Sequence, residues 1–198
     1  MSDTLYKEKS DTVGSAEQNE TKQNKNKPIQ VVKRNGKRES LDLEKINKVI
    51  TWAAEGLDNV SVSQVVLNAN VQLCDQIKTE DIHEVIIKSA ADLISEDTPD
   101  YQYLAARLAI FHLRKKAYAQ FDPPHLFSHV KKMVDGGWYD KALLEDFDEK
   151  DFNKMNDFIR HSRDLTFSYS AVKQLQGKYL VQDRVTGQIF ESAQFLYV

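Results

Sequence analysis

The residues best placed to do chemistry in this sequence are cations close to its first turn signal. Lys33 and Arg34 precede Asn35-Gly36, and Lys45 follows within Glu39-Ser40-Leu41-Asp42-Leu43-Glu44-Lys45-Ile46. Asn-Gly supports the positive backbone angles of a tight type I′ turn, and Asp42 is a good cap for a helix beginning near Leu43. A hairpin running straight into a helix start sets cations beside free backbone N–H groups. Such a place suits an anion, most simply a phosphate chain, because the helix start carries partial positive charge and Lys33, Arg34 and Lys45 can add charge-assisted bonds. From the local pattern by itself, a solvated hairpin with scattered lysines is the more economical description.

Composition limits what the rest of the chain can do. The 198 residues allow one large or two small domains, and 41% hydrophobic content suffices for a core. The formal charge of -3, from 27 Lys+Arg against 30 Asp+Glu, gives no overall attraction to nucleic acid or to an anionic membrane, so any cationic site must be local. No apolar run is long enough to span a bilayer and the N-terminus has no signal-peptide hydrophobic segment, which makes the cytoplasm the expected location. A single cysteine, Cys74, excludes an internal disulfide framework and a multi-thiolate zinc site. Cys74 is expected to be buried on a helix face.

The elements that must position the cations can be read from periodicity. Residues 1–28 are polar and nearly free of large apolar side chains, and read as a flexible tail. Ile29 to Lys33 and Lys37 to Leu41 form a strand pair. A helix from Leu43 to about Glu55 follows, with Leu43, Ile46, Ile50, Ala53 and Leu57 on one face and Gly56 at its end. Ser61 or Ser63 can cap a second helix through Val62, Val65, Val66, Ala69 and Leu73. Thr79, with Glu80 and Asp81, opens and caps a third through Ile82, Ile86, Ala90 and Leu93. Thr98-Pro99 starts a fourth that runs to Tyr118 through Leu104, Leu108 and Phe111. Arg114, Lys115 and Lys116 suit its negative C-terminal end, and for Arg114 and Lys116 that role is sufficient. These helices predict an antiparallel bundle with the hairpin folded across one end. Pro123-Pro124 ends the unit. A second region follows, with helices ending at Gly136-Gly137, over Glu149 to Ile159 and over Ser168 to Leu175. A hairpin then pairs Tyr179–Gln182 with Gln188–Glu191, and Ser192 to Val198 reads as the opening turns of an apolar helix cut short by a fragment boundary.

Several ordered segments carry a family resemblance. Val31-Val32-Lys33-Arg34-Asn35-Gly36 with Glu39, Lys45 and Ile46, then Thr79-x-x-Ile82-His83, then Tyr101-Gln102-Tyr103-Leu104-Ala105-Ala106-Arg107-Leu108, resemble the ATP-cone of aerobic ribonucleoside-diphosphate reductase large subunits. Phe167 to Val172, Lys178 to Gln182 and Glu191 to Tyr197 are similar to the helical segment that follows the cone in the class Ia enzyme. The resemblance covers residue 29 to the end. It implies a mainly α fold: a four-helix ATP-cone capped by a small β-hairpin over residues 29–119, then the start of the reductase helical domain over residues 120–198.

The functional content of the resemblance is an adenine-nucleotide switch in which ATP keeps the enzyme active and dATP in the same pocket turns it off. Lys33, Arg34, Lys45 and Lys115 fall at the triphosphate contacts. Thr79 and His83 lie on the pocket-lining helix, Glu39 and Asp42 face the nucleoside with Leu41 between them, and Phe111 falls near the pocket. Without the family pattern, His83 would be a surface histidine, and Phe111 and Trp52 would be core aromatics. A Mg2+ ion accompanying the triphosphate is implied, with no dedicated metal cluster and no redox cofactor in this stretch. The family's chemistry needs three cysteines, so this chain carries no catalytic residue and is expected to be inactive alone. The partners implied are a second large subunit and the small radical-bearing subunit. Two other readings stand beside this one: an ATP-cone transcriptional regulator, which the lone cysteine disfavours because such proteins carry a four-cysteine zinc ribbon, and a helical protein-interaction module whose basic hairpin contacts an acidic partner.

Overall fold

The computed structural model describes residues 29–33 and 36–198. The polar tail expected over residues 1–28, and Arg34 and Asn35 of the expected turn, lie outside the described residues. β1 (Gln30–Val32) pairs antiparallel with β2 (Arg38–Ser40), placing Val31 opposite Glu39 and Val32 opposite Arg38. The Lys33 N–H donates to the Lys37 carbonyl at 2.9 Å, and the Gly36 N–H donates to the Lys33 carbonyl at 2.8 Å. This register leaves one residue more between the strands than a type I′ turn over Asn35-Gly36 allows. Gly36, at φ +77°, supplies the left-handed residue on which the longer loop ends.

A third strand was not expected from the sequence. β3 (Ile77–Lys78) runs parallel to β1 on its other edge, giving the order β2-β1-β3, and is too short to show an alternating pattern. Val31 and Ile77 lie opposite each other, both buried, and their inner face closes one end of the helices.

Four helices form the first part of the chain: α1 (Leu43–Ala54), α2 (Val62–Gln72), α3 (Thr79–Ala91) and α4 (Tyr101–Tyr118). Asp42 caps α1 as expected, its side chain accepting from the N–H groups of Glu44 (3.0 Å) and Lys45 (3.2 Å). Ser61 caps α2 through Gln64. Leu43 belongs to no core face; it is 46% exposed, and Ile46, Ile50 and Ala53 carry the burial. Thr79 does not cap α3. Because β3 runs directly into that helix, the extended residue before it is Lys78, and the Thr79 hydroxyl instead donates to the Val32 carbonyl at 3.3 Å. Cys74 is exposed, contrary to expectation, because α2 ends at Gln72 and Leu73 takes the inward position before the chain turns at Gln76 (φ +65°).

α4 starts two residues beyond Pro99 and is buried on nearly every side, with Leu104, Ala105 and Ala106 fully enclosed. Its alanines let neighbours approach closely, and the core they complete includes Ile50, Val65, Ile86 and also Val172 from the second region. Arg107 ties α4 to α1 by donating to the carbonyls of Ala53 (3.0 Å) and Glu55 (2.6 Å), which satisfies groups the helix end leaves open. Arg114 departs from its expected role at the helix end. It is 3% exposed and bonded to Asp164 at 2.9 Å, because its side chain leaves the last turn on the face that the second region covers.

The second region comprises α5 (Leu126–Asp135), α6 (Ala142–Asp146), α7 (Glu149–Phe158), a 3-10 turn (His161–Thr166), α8 (Tyr169–Gln174) continued by a π turn, and α9 (Ala193–Leu196). The expected hairpin near residues 179–191 reduces to one bridge, Gln182 to Ile189, since Asp183 folds its side chain onto Val185 and Thr186 instead of extending the ladder. Among the described residues no helix is long and apolar enough to cross a membrane.

The enclosed position of Leu104 sets a test of this packing. Leu104→Ala is expected to destabilise the chain by about 2–5 kcal/mol, read as a lower urea midpoint at unchanged slope. A midpoint equal to that of the parent chain would contradict the burial assigned here.

Candidate functional site

Where the sheet meets the helices, the structure encloses a cavity of about 370 Å³. Lys33, Glu39, Leu41 and Asp42 line it from the hairpin side, Lys45 from α1, Thr79 and His83 from α3, and Phe111 and Lys115 from α4. These are the residues singled out from the sequence; Arg34, the remaining one, lies outside the described residues. The sequence separates Lys33 from Lys115 by most of the first four helices, and only the closure of the sheet onto α3 and α4 brings them to one opening.

The lysines are held by acids on the same rim. Lys33 Nζ lies 2.7 Å from Glu39 Oε2, across the antiparallel pair, and Lys45 Nζ lies 3.2 Å from Asp42 Oδ2. The hydrogen bond from Lys33 holds the Glu39 carboxyl below the usual carboxylate range, and Lys45 does the same for Asp42, helped by the backbone N–H groups of α1. Both pairs are exposed, and exposed pairs hold weakly against water and salt, so a polyanion with several oxygens can displace these carboxylates. Asp42 thus combines two functions. It caps α1, and its second oxygen keeps Lys45 at the rim.

The inner wall is aromatic and apolar. Phe111 lies 5.8 Å from the rings of both His83 and Trp52, and Lys115 Nζ stands 5.7 Å from the Phe111 centroid, within cation–π range. His83 in turn stands 5.1 Å from His112. Ile46, Val49, Ile82 and Ile86 complete the floor. A recess with cations at the mouth and rings with aliphatic carbon inside fits a ligand whose one end is a planar heterocycle and whose other end is a phosphate chain.

Sequence reasoning missed His112, Ser40, Glu80 and Ala119 as lining residues. His112 adjoins Phe111, but the periodicity of an all-round buried helix does not say which neighbour faces a cavity. Ile82 and Ile86, at i and i+4 with His83 between them, were assigned only to the core although they also floor the recess. Trp52, expected as core, packs half-buried behind Phe111.

Comparison with known proteins gives the arrangement a context. Residues 29–116 match the ATP cone domain family. Over 173 residues the chain is 66% identical to the ribonucleoside-diphosphate reductase subunit alpha of Haemophilus influenzae and to the ribonucleoside-diphosphate reductase 1 subunit alpha of Escherichia coli. It is 42% identical over 170 residues to the subunit alpha of Enterobacteria phage T4. These alignments cover 87%, 87% and 86% of this chain but only 23%, 23% and 22% of the relatives, so the chain spans about a quarter of the length of the curated relatives it matches.

The rim pairing makes its own prediction. In Lys33→Ala the titration midpoint of Glu39, followed by carboxyl carbon NMR, should rise toward the ordinary carboxylate range. Since a depressed carboxylate stabilises the fold above its unfolded pKa and loses that contribution as pH falls through its folded pKa, the variant should also lose less stability on acidification. An unmoved midpoint would mean that Lys33 and Glu39 are not paired in solution.

Proposed function

We propose that the cavity is the allosteric adenine-nucleotide site of a ribonucleoside-diphosphate reductase alpha subunit, because residues 29–116 match the ATP cone domain family and the chain is 66% identical to such subunits over 173 residues. In this reading the chain is the regulatory front of an oxidoreductase that makes deoxyribonucleotides, with the cone over residues 29–119 and the start of the helical domain over residues 120–198. The observation that carries it is the convergence of Lys33, Lys45 and Lys115, from the hairpin, α1 and α4, on one aromatic-walled recess.

Each residue then has a physical task. Lys33 and Lys45 exchange Glu39 and Asp42 for phosphate oxygens, Lys115 closes on the chain from α4, and Arg34 adds a fork suited to phosphate. Phe111 and His83 face the nucleoside, while the Glu39 and Asp42 carboxylates released from the lysines become acceptors for sugar hydroxyls. Thr79 anchors α3 to β1 through Val32, which keeps the pocket wall at a fixed distance from the hairpin. A magnesium ion accompanying the triphosphate would be held by the phosphate oxygens, which suit its preference for oxygen ligands. ATP occupancy keeps the full enzyme active and dATP occupancy turns it off by changing how the cone packs against a second alpha subunit and the small radical-bearing subunit. Cys74 is the sole cysteine of the sequence, so thiyl-radical chemistry belongs to the part of a complete subunit beyond this chain.

Isothermal titration calorimetry tests the reading. The chain should bind ATP and dATP saturably and gain thermal stability as the logarithm of ligand concentration above Kd. Lys33→Ala and Lys115→Ala should each weaken both nucleotides by roughly tenfold or more, since a hydrogen bond to a charged group is worth about 1.5–3 kcal/mol. Wild-type affinity in both variants would remove the lysines from the site, and a chain that shows no thermal shift with ATP would instead behave as a helical interaction module.

A further inference from the structure

Arg114 sits one position before the cavity lysine Lys115, yet it points the other way and is 3% exposed. Its Nη2 donates to Asp164 Oδ2 at 2.9 Å and to the His161 carbonyl at 2.5 Å. Asp164 is 1% exposed, and its second oxygen accepts from Gln194 Nε2 at 3.1 Å. One guanidinium on the cone's last helix therefore organises two separate segments of the second region, the 3-10 turn His161–Thr166 directly and α9 through Asp164. The neighbouring His161 imidazole is held below its ordinary pKa by its own desolvation first and by the Arg114 charge second.

The same guanidinium reaches the cavity wall through one aromatic ring. Its Cζ lies 5.1 Å from the Phe121 centroid, and Phe121 stacks on Phe111 at 5.5 Å and 29° while meeting Trp52 edge-on at 5.1 Å. Phe121 gets there because Ala119, at φ +60°, takes the left-handed conformation and folds the chain back over the last turn of α4. Phe111 and Ala119 both line the cavity. Thus Phe121 touches the wall of the recess on one hand and the buried ion pair on the other.

We infer that the Arg114–Asp164 pair couples occupancy of the cavity to the docking of the second helical region onto the cone, an inference that rests on the nucleotide reading above. A desolvated charge pair is far more sensitive to geometry than an exposed one, because its attraction is weakly screened and each partner left alone would be an uncompensated buried charge. Close-packed interiors pass a displacement on to the next layer instead of absorbing it. A ligand seated against Phe111 reduces the freedom of Phe121 and holds Arg114 against Asp164, so the 3-10 turn is bound more firmly when the cavity is full. Coupling of this kind is reciprocal, so weakening the junction must weaken the ligand.

Hydrogen exchange with mass spectrometry on the unaltered chain is the deciding measurement. Saturating ATP should slow exchange across residues 161–166 by about fivefold or more, the low end of ordinary allosteric couplings. Asp164→Asn should lower ATP affinity by a similar factor although Asp164 lines no part of the cavity, and Phe121→Leu should abolish the ATP effect on exchange at 161–166 while leaving the fold intact. If calorimetry shows ATP binding and exchange at 161–166 is unchanged, the coupling is refuted and the nucleotide site stands. If the unaltered chain binds no ATP, both fall. Should Asp164→Asn fail to fold, the exchange result on the unaltered chain still decides.

Discussion

The constraint on which this structure depends is that α4 has no free side. Helix Tyr101–Tyr118 packs against α1 and α3 on one flank and against α8 and the 3-10 turn on another, and its C-terminal half also supplies the cavity with Phe111 and Lys115. A helix enclosed in this way cannot leave its polar groups to water. Arg107 and Arg114 solve the problem in different ways: the first caps the open carbonyls of α1 and reaches Leu165, and the second is neutralised by Asp164. Each arginine therefore bridges elements distant in sequence, and each becomes a point where the two parts of the chain are held in register.

Polar chemistry also fixes the far end of the second region. Glu191 is 2% exposed, accepts from the Val181 N–H at 2.9 Å and takes the Tyr139 hydroxyl proton donor on its other oxygen. Nearby, the Tyr118 hydroxyl accepts from the Ser192 N–H at 2.8 Å, again linking α4 to the C-terminal segment. Burial drives the pKa of both tyrosines upward, so they stay neutral donors over any ordinary pH, and it drives His129 beside them down to about 4. Because a depressed histidine pKa means that the unfolded chain takes up the proton first, His129 favours the fold above its ordinary pKa near 6.5. It withdraws that support as pH falls toward 4. Around Glu191 the second region thus buries polar groups that hydrogen-bond one another, which specifies one arrangement more sharply than an apolar filling would.

The cavity combines two features that usually conflict, a rim of charge and an apolar interior. They coexist because the charges come from the hairpin, the first turn of α1 and the last turn of α4 at the mouth, whereas the rings come from helix faces that point inward. The lysine–carboxylate pairs at the rim keep the opening neutral enough to be stable while empty, and they are weak enough to be displaced. The aromatic layer of Trp52, Phe111 and Phe121 sits between the recess and the buried Arg114, so the recess and the Arg114–Asp164 pair share one wall.

Local chemistry was legible in the chain without coordinates. The Asp42 cap, the Ser61 cap, the helical periods and the strand pairing are decided by neighbours a few residues apart, and they appear where residue type and spacing place them. The lysines could be nominated for the same reason, through ordered motifs that resemble a known domain. What needed the tertiary structure was every outcome that depends on a distant partner. Thr79 serves β1 and not its own helix because β3 forms only beside Val31 and Val32. Cys74 is exposed because Leu73 competes for the same inward position. Arg114 is buried because Asp164, fifty residues on, arrives to neutralise it. Sequence spacing describes what a residue can do within one element, but the sign and worth of a charge depend on what desolvates it and what pairs with it, and those are supplied by chain segments that meet only on folding.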